Sequence, residues 1–197
     1  LKCPNKFVSS NFLKQTLDRE TKIKTYGLKA AHLESDLHCN GYDVTLTTNR
    51  YFVWEFWRCL INSPYHLLKS IEFFHLHLKT RDISTFRNKW YTKFENPYER
   101  AALYYLFNRY SKDGELSCQS MSKHNFSKLN IRTFENLVEH SRDLNLSFTS
   151  HEDLTNSFDE VDDNTTILIP IGKHKRDFIL KKEVVSIDTS NYNFEKI

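Results

Sequence analysis

The side chains with the widest chemical range in this chain are nine histidines, four cysteines and a basic, aromatic stretch near its middle. His75 and His77 stand one residue apart, a spacing that places two imidazoles on one face of a strand, as a metal pair requires. Ile71–Leu78 has helical periodicity instead, which turns the two rings about 200° apart. The expectation is therefore surface or partly buried histidines and no metal. Cys3, Cys39, Cys59 and Cys118 are too widely spaced for a CxxC pair that grips zinc or cycles as a disulfide, and they read as buried free thiols. Arg81, Arg87, Lys89, Trp90, Tyr91 and Lys93 interleave cations with rings, the pattern of a surface that stacks single-stranded bases while neutralising phosphate. The plainer reading of these residues is an exposed basic loop whose aromatics close the core.

Other chemistry is excluded by composition. Only 4 of 197 residues are glycine, and Gly27, Gly41, Gly114 and Gly172 are isolated. A P-loop or a GxGxxG turn needs several positions without a Cβ close together, so neither is present. Residues 1–110 carry a net charge of +7 and residues 111–197 one of −4. The acidic run Asp159, Glu160, Asp162, Asp163 and the basic run Lys173–Arg176 read as solvated loops. No apolar stretch approaches the roughly 18 residues of a membrane span, and no basic segment followed by an apolar one opens the sequence. These features predict a soluble, unsecreted protein, intracellular or cytoplasmic, without a membrane partner.

Helix and strand signals alternate along the chain. Phe7–Leu17 has helical spacing, Lys22–Gly27 suits a short strand, Leu28–Leu37 a helix, and Tyr42–Thr48 a strand with Val44 and Leu46 on one face. Phe52, Val53, Phe56, Trp57, Leu60 and Ile61 form the apolar stripe of an amphipathic helix. Trp57 lies on that stripe, whereas Trp54 falls about 100° off it and is the candidate for a partner interface. Ser63-Pro64 and Asn96-Pro97-Tyr98-Glu99 open two further helices, the second as a capping box in which Asn96 accepts from the Glu99 amide. Ile131–His140 reads as a helix, Asn145–Ser150 as a strand, Asp153–Phe158 as a short helix, Thr165–Ile171 as a buried central strand, and Val184–Ile187 as a last strand. The pattern predicts an α/β sandwich with a largely parallel sheet, one domain over residues 1–197 with a small helical insertion at about 71–95.

In this order the pieces resemble the Dam-type, α-group N6-adenine DNA methyltransferases. Pro4-Asn5-Lys6-Phe7-Val8-Ser9-Ser10-Asn11-Phe12-Leu13 is similar to that family's opening segment, P-x-x-Y-x-G-S-K-x-x-L. Tyr42–Asn62 is similar to its second motif, a strand, an N-D pair and a helix bearing an aromatic and a basic residue. Arg100–Tyr110 resembles its A-x-x-F-L-x-x-N-R helix. Asn145–Phe148 and His151–Leu154 resemble the strand and helix before the catalytic strand, and Ile169-Pro170-Ile171-Gly172 falls where the catalytic DPPY stands. The resemblance implies a Rossmann-like methyltransferase sandwich, shortened at its C-terminus.

Each chemical position departs from the family. Asn11 replaces the lysine that contacts cofactor or target base. Gly27 alone remains of the FxGxG loop against which S-adenosylmethionine packs, and Thr48 replaces the aspartate that accepts from the ribose hydroxyls. Isoleucine at 169 cannot accept the hydrogen bond of the adenine amino group, and no aromatic follows Pro170 to stack on a flipped base. The departures imply a catalytically inactive, methyltransferase-like protein with no cofactor, its cofactor cavity filled by Tyr26, His32 and Leu33. It would act as a structural or binding component with protein partners in a large assembly, such as a phage or viral particle or an organellar ribosome. Two alternatives stand beside it: an active S-adenosylmethionine-dependent N6-adenine DNA methyltransferase with a carboxylate displaced to Asp153, Asp159 or Asp177, and a nucleic-acid-binding module without chemistry.

Overall fold

The structure, a computed structural model, describes residues 14–15, 17–26, 32–80, 90–110, 131–142, 144–148, 164–171, 175–180 and 183–188. The chain divides into two compact units: Tyr51–Asp143, and Cys3–Arg50 together with Leu144–Ile197. The first is helical and enters the chain between two strands of the second. The expected insertion at about 71–95 lies within it.

The sheet unit begins with β1 (Lys22–Tyr26), α1 (His32–Cys39) and β2 (Asp43–Thr48), and resumes with β3 (Asn145–Phe148), β4 (Thr165–Ile171), β5 (Lys175–Leu180) and β6 (Glu183–Asp188). Strand order is β3-β2-β1-β4-β5-β6. The first four are parallel, with Ile23 opposite Val44 on one side of β1 and Thr166 on the other. β5 and β6 continue the sheet antiparallel. A mixed α/β architecture with a four-stranded parallel core is thus present.

β1 and β2 are joined through α1, the helical crossover that parallel pairing requires. Gly41 ends α1 at a φ of +90°, a conformation a Cβ resists. Its N–H donates to the His38 carbonyl, and the Tyr42 N–H donates to that of Leu37, so two of the helix's last carbonyls are satisfied before β2 starts. Ile23, Val44, Leu46, Leu37 and Ile167 are buried, and so are Thr47 and Thr48. Burial of both faces of β2 is what a parallel strand under cover on both sides experiences.

The antiparallel extension corrects one expectation. Lys173–Arg176 read as a solvated loop, yet Lys175 and Arg176 open β5. Their charges mask a strand whose pairing is supplied from both sides, by β4 and by β6, so tertiary pairing overrides local propensity.

The helical unit contains α2 (Tyr51–Asn62), α3 (Pro64–Thr80), the single turn α4 (Trp90–Lys93), α5 (Pro97–Tyr110) and α6 (Ile131–Ser141). Val53, Phe56, Trp57 and Leu60 of α2 are buried as their spacing predicts. On α5, Ala101–Phe107 are all buried, so this helix is apolar on every side and forms the axis of the unit. α2 and α3 both pack against it. Rings fill the rest: Phe56 lies 5.2 Å from Tyr104 and 5.6 Å from Trp57, and Tyr105 meets Phe134 of α6 edge-on at 5.7 Å. Each such side chain contributes about 1.5–3 kcal/mol through removal from water.

The two proline-opened helices start where expected, with different cap bonds. The Asn96 side chain accepts from the Tyr98 N–H at 2.9 Å rather than from Glu99, which places the bond one residue earlier than a capping box does. The Ser63 hydroxyl pairs with the His66 ring at 2.7 Å, while its carbonyl accepts the first helical bond from Leu67. Among the described residues, no helix is long and apolar enough to cross a membrane. Of the expected Phe7–Leu17 helix only Lys14, Gln15 and Leu17 are described, the first two in a helical turn. The expected Asp153–Phe158 helix lies outside the described residues.

Candidate functional site

In a parallel sheet the strands' carboxyl ends share one edge, and ligands sit there where successive connections leave in opposite directions. Here that point is between β1 and β4, since β1 has β2 on one side and β4 on the other. The edge ends in Tyr26, Thr48, Phe148 and Ile171, and the resemblance implies cofactor and target contacts at or beside three of these ends, at Gly27, Thr48 and Ile169–Gly172. None of the four parallel strands closes on a carboxylate, whereas β6, which runs in the same direction as β4, ends on Asp188 at this edge, across from Lys175. Thr48 is buried, and its hydroxyl accepts the Arg50 N–H at 3.2 Å, a turn bond that leads the chain out of β2. Thr25, one residue from the end of β1, is fully buried with no hydrogen-bond partner for its hydroxyl.

The segment aligned with DPPY continues as strand. Ile169 is the register partner of Asp177, Pro170 of Arg176 and Ile171 of Lys175. Asp177, one of the three candidates for a displaced carboxylate, therefore sits directly across from Ile169, on β5. Asn11, Gly27, Gly172, Asp153 and Asp159 lie outside the described residues, as do the side chains of the expected cavity fillers Tyr26, His32 and Leu33.

The helical unit holds a more elaborate polar arrangement. A cleft of about 280 Å³ opens between α2 and the start of α5, lined by Tyr51, Trp54, Arg58 and Tyr98 with Glu55 and Arg100 at its wall. Glu55 is buried on α2 among Val53, Phe56, Trp57 and Leu60. Arg100 answers it with both sides of its guanidinium: Nε donates to Oε2 at 2.8 Å and Nη2 donates to Oε1. Nη1 donates to the carbonyls of Phe94 and Glu95, each at 2.7 Å, which ties the loop before α5 to the same group. The bond to Glu55 is the main cause that raises the Arg100 pKa further above its ordinary value. A fork-on-carboxylate pair of this kind is planar and directional, which lysine could not reproduce.

Aromatic rings extend the cleft. Tyr51 lies 5.3 Å from Trp54 and 6.1 Å from Tyr91 of α4, edge-on. Arg58 places its guanidinium 4.9 Å from the Trp54 ring centre, and Arg100 lies 5.6 Å from that of Tyr91. Burial, followed by the charge of Glu55, raises the Tyr91 pKa and keeps its phenol protonated. Cys59, also on the wall, has its thiol pushed up to about 12 by burial and then by Glu55, so it is no nucleophile near neutral pH.

Two sequence candidates thus converge. Trp54, the interface candidate, is half-buried and lines the cleft, and Trp90, Tyr91 and Lys93 of the basic, aromatic stretch belong to α4, linked to it through Tyr51. Within α4 they divide: Trp90 packs on the core ring of Phe107 at 5.9 Å, whereas Lys93 is exposed. Arg81, Arg87 and Lys89 lie outside the described residues. His75 is buried on α3 and His77 packs its ring 4.3 Å from Phe73. Among the described residues, no three His, Cys, Asp or Glu side chains converge as a metal site. Cys59 is a buried free thiol as expected, but Cys39 is exposed, because it stands about 200° around the last turn of α1 from buried Leu37. Cys3 and Cys118 lie outside the described residues.

Sequence reasoning missed the Glu55–Arg100 pair, though both halves left a trace. Glu55 is an acid inside an otherwise apolar helix, and Arg100 is a cation in the first turn of α5, where the helix dipole disfavours it. Each needs a partner of opposite charge. Compared with known proteins, the chain matches no family model and no curated protein.

Proposed function

We propose that the chain is a non-catalytic relative of the Dam-type adenine methyltransferases, retained as a binding component whose recognition surface is the Trp54 cleft. The observation that carries this reading is the pairing of Ile169-Pro170-Ile171 with β5. A DPPY-type motif works from the end of its strand, where an acidic side chain and a proline carbonyl orient the amino lone pair toward the methyl donor. A segment paired in an antiparallel ladder, with isoleucine at the acceptor position, offers no acidic side chain there. The Thr48 hydroxyl, already engaged by the Arg50 N–H, is likewise a poor substitute for a ribose-binding carboxylate. Thr48 and Ile169 supply no carboxylate for a ribose or an adenine amino group, which supports the reading without S-adenosylmethionine and without a methyl-transfer step. Calorimetric titration with S-adenosylmethionine tests the reading: no binding heat is expected up to about 1 mM ligand, and a micromolar dissociation constant overturns it.

A second reading, a nucleic-acid-binding module, draws on the cluster of Tyr51, Trp54 and Tyr91 beside Arg58 and Lys93. Tyr51 is exposed and Trp54 and Tyr91 are half-buried, and accessible rings flanked by cations supply base stacking and phosphate neutralisation together. Filter binding of a single-stranded oligonucleotide then falls as salt rises, and Trp54→Ala weakens it about tenfold. Retention that is absent, or indifferent to salt, removes this reading.

A further inference from the structure

The exposed face of α3 carries large apolar side chains on either side of a charged centre. Tyr65, Phe73 and Leu76 are 66%, 54% and 64% exposed, and they are three of the five large hydrophobic residues most open to solvent among those described. Tyr65, Lys69, Glu72 and Leu76 follow one another at spacings of four, three and four, the seam of a helix that packs along a partner helix. Leu68 flanks this seam on one side and Phe73 on the other. Among the described residues, the two charges at its centre engage each other and the Tyr65 ring: Lys69 Nζ lies 3.2 Å from Glu72 Oε2 and 5.7 Å from the ring centre.

We propose that this face pairs with the same face of a second copy of the chain, the two α3 helices running antiparallel about a two-fold axis. The charges select both occupant and direction. About a midpoint between residues 70 and 71, an antiparallel pair places Tyr65 in one layer with Leu76 of the second copy, and Lys69 in one layer with Glu72 of the second copy. Symmetry repeats both layers, so each lysine meets a glutamate and each tyrosine a leucine. A parallel pair would instead set Lys69 against Lys69 and Glu72 against Glu72, with like charges in consecutive layers. The exposed Lys69–Glu72 pair within one helix contributes little alone, so it yields to the intermolecular arrangement without appreciable loss. Apolar flanks and a charged centre make the face complementary to itself, as an isologous contact requires. The seam covers only three helical turns, below the area of a permanent interface, so association is reversible and concentration-dependent.

Sedimentation equilibrium of the full chain from about 1 µM to about 300 µM is expected to show a monomer–dimer equilibrium. Leu76→Glu, at an exposed position, abolishes the dimer while circular dichroism shows the fold unchanged. Lys69→Glu and Glu72→Lys each weaken association about tenfold by creating like-charge layers. The double variant K69E/E72K restores it, because both layers regain opposite charges. A monomer at every concentration, a dimer indifferent to Leu76→Glu, or a double reversal as weak as the single ones overturns the proposal.

Discussion

The carboxyl edge of the sheet and the Trp54 cleft of the helical unit place their polar groups in opposite ways. At the edge, where an α/β sheet presents its ligand site, the chain offers threonines and isoleucine: Thr48 bonded within its own turn, Thr25 with a buried hydroxyl and no partner, and Ile169 in a ladder. In the cleft it buries Glu55 against a partly buried Arg100, ties a loop to the pair by two carbonyl bonds, and sets rings beside it. Burying charge is expensive, and an ion pair like this one fixes a geometry more than it stabilises a fold. Among the described residues, the most preorganised polar geometry therefore lies in the helical unit, while Thr25 and Thr48 at the sheet edge are buried.

Breaking the ion pair tests the stronger half of that contrast and is expected to cost the most. Arg100→Leu leaves the Glu55 carboxylate buried without its partner, and we expect a loss of about 3–5 kcal/mol, a fall in Tm on the order of 10 °C. The double variant E55L/R100L recovers most of that loss, since the uncompensated charge goes with it. Equal losses in the single and double variants would show that the packing of the arginine stem, and not the pairing, matters.

Cysteine reactivity compares the two units at a next smaller effect. The rise of the Cys59 thiol from 9.0 to about 12 lowers its thiolate fraction about a thousandfold at a given pH. Iodoacetamide followed by peptide mapping is expected to label exposed Cys39 and spare Cys59 in the native protein. Because the folded pKa of Cys59 lies above its unfolded value, its contribution to stability is complete below pH 9 and is lost as pH rises toward about 12. Rapid native labelling of Cys59 would mean that the cleft wall opens.

Thr25→Val probes the other half. Replacing a buried, unpartnered hydroxyl by a methyl of the same shape is expected to stabilise by about 1 kcal/mol, read as a rise in Tm. A loss of similar size would show that the hydroxyl serves a ligand or a water at the sheet edge. The smallest stability effect is expected of Trp54→Ala, within about 0.5 kcal/mol, because the half-buried ring belongs to the cleft rather than to the core.

Periodicity made most helices and the parallel strands legible. The α2 stripe and the alternation of Val44 and Leu46 both carry their burial in their spacing, and Pro64 and Pro97 mark two helix starts. β5 was illegible because Lys175, Arg176 and Asp177 hide a strand that exists through its two neighbours. The Gly41 cap follows from one isolated glycine after a helix, a signal present but unused. For the site, Trp54 is identifiable from its angular offset, whereas the Glu55–Arg100 pair joins residues 45 positions apart, and no local pattern reports a partner at that distance.

Whether the sheet edge has lost its chemistry is decided by methyl transfer from labelled S-adenosylmethionine to adenine-containing DNA, with Asp177→Asn run beside the unaltered chain. No incorporation above a protein-free blank is expected for either. Incorporation by the unaltered chain that Asp177→Asn abolishes would refute the non-catalytic reading, and would make the carboxylate opposite Ile169 the displaced acceptor of a working enzyme.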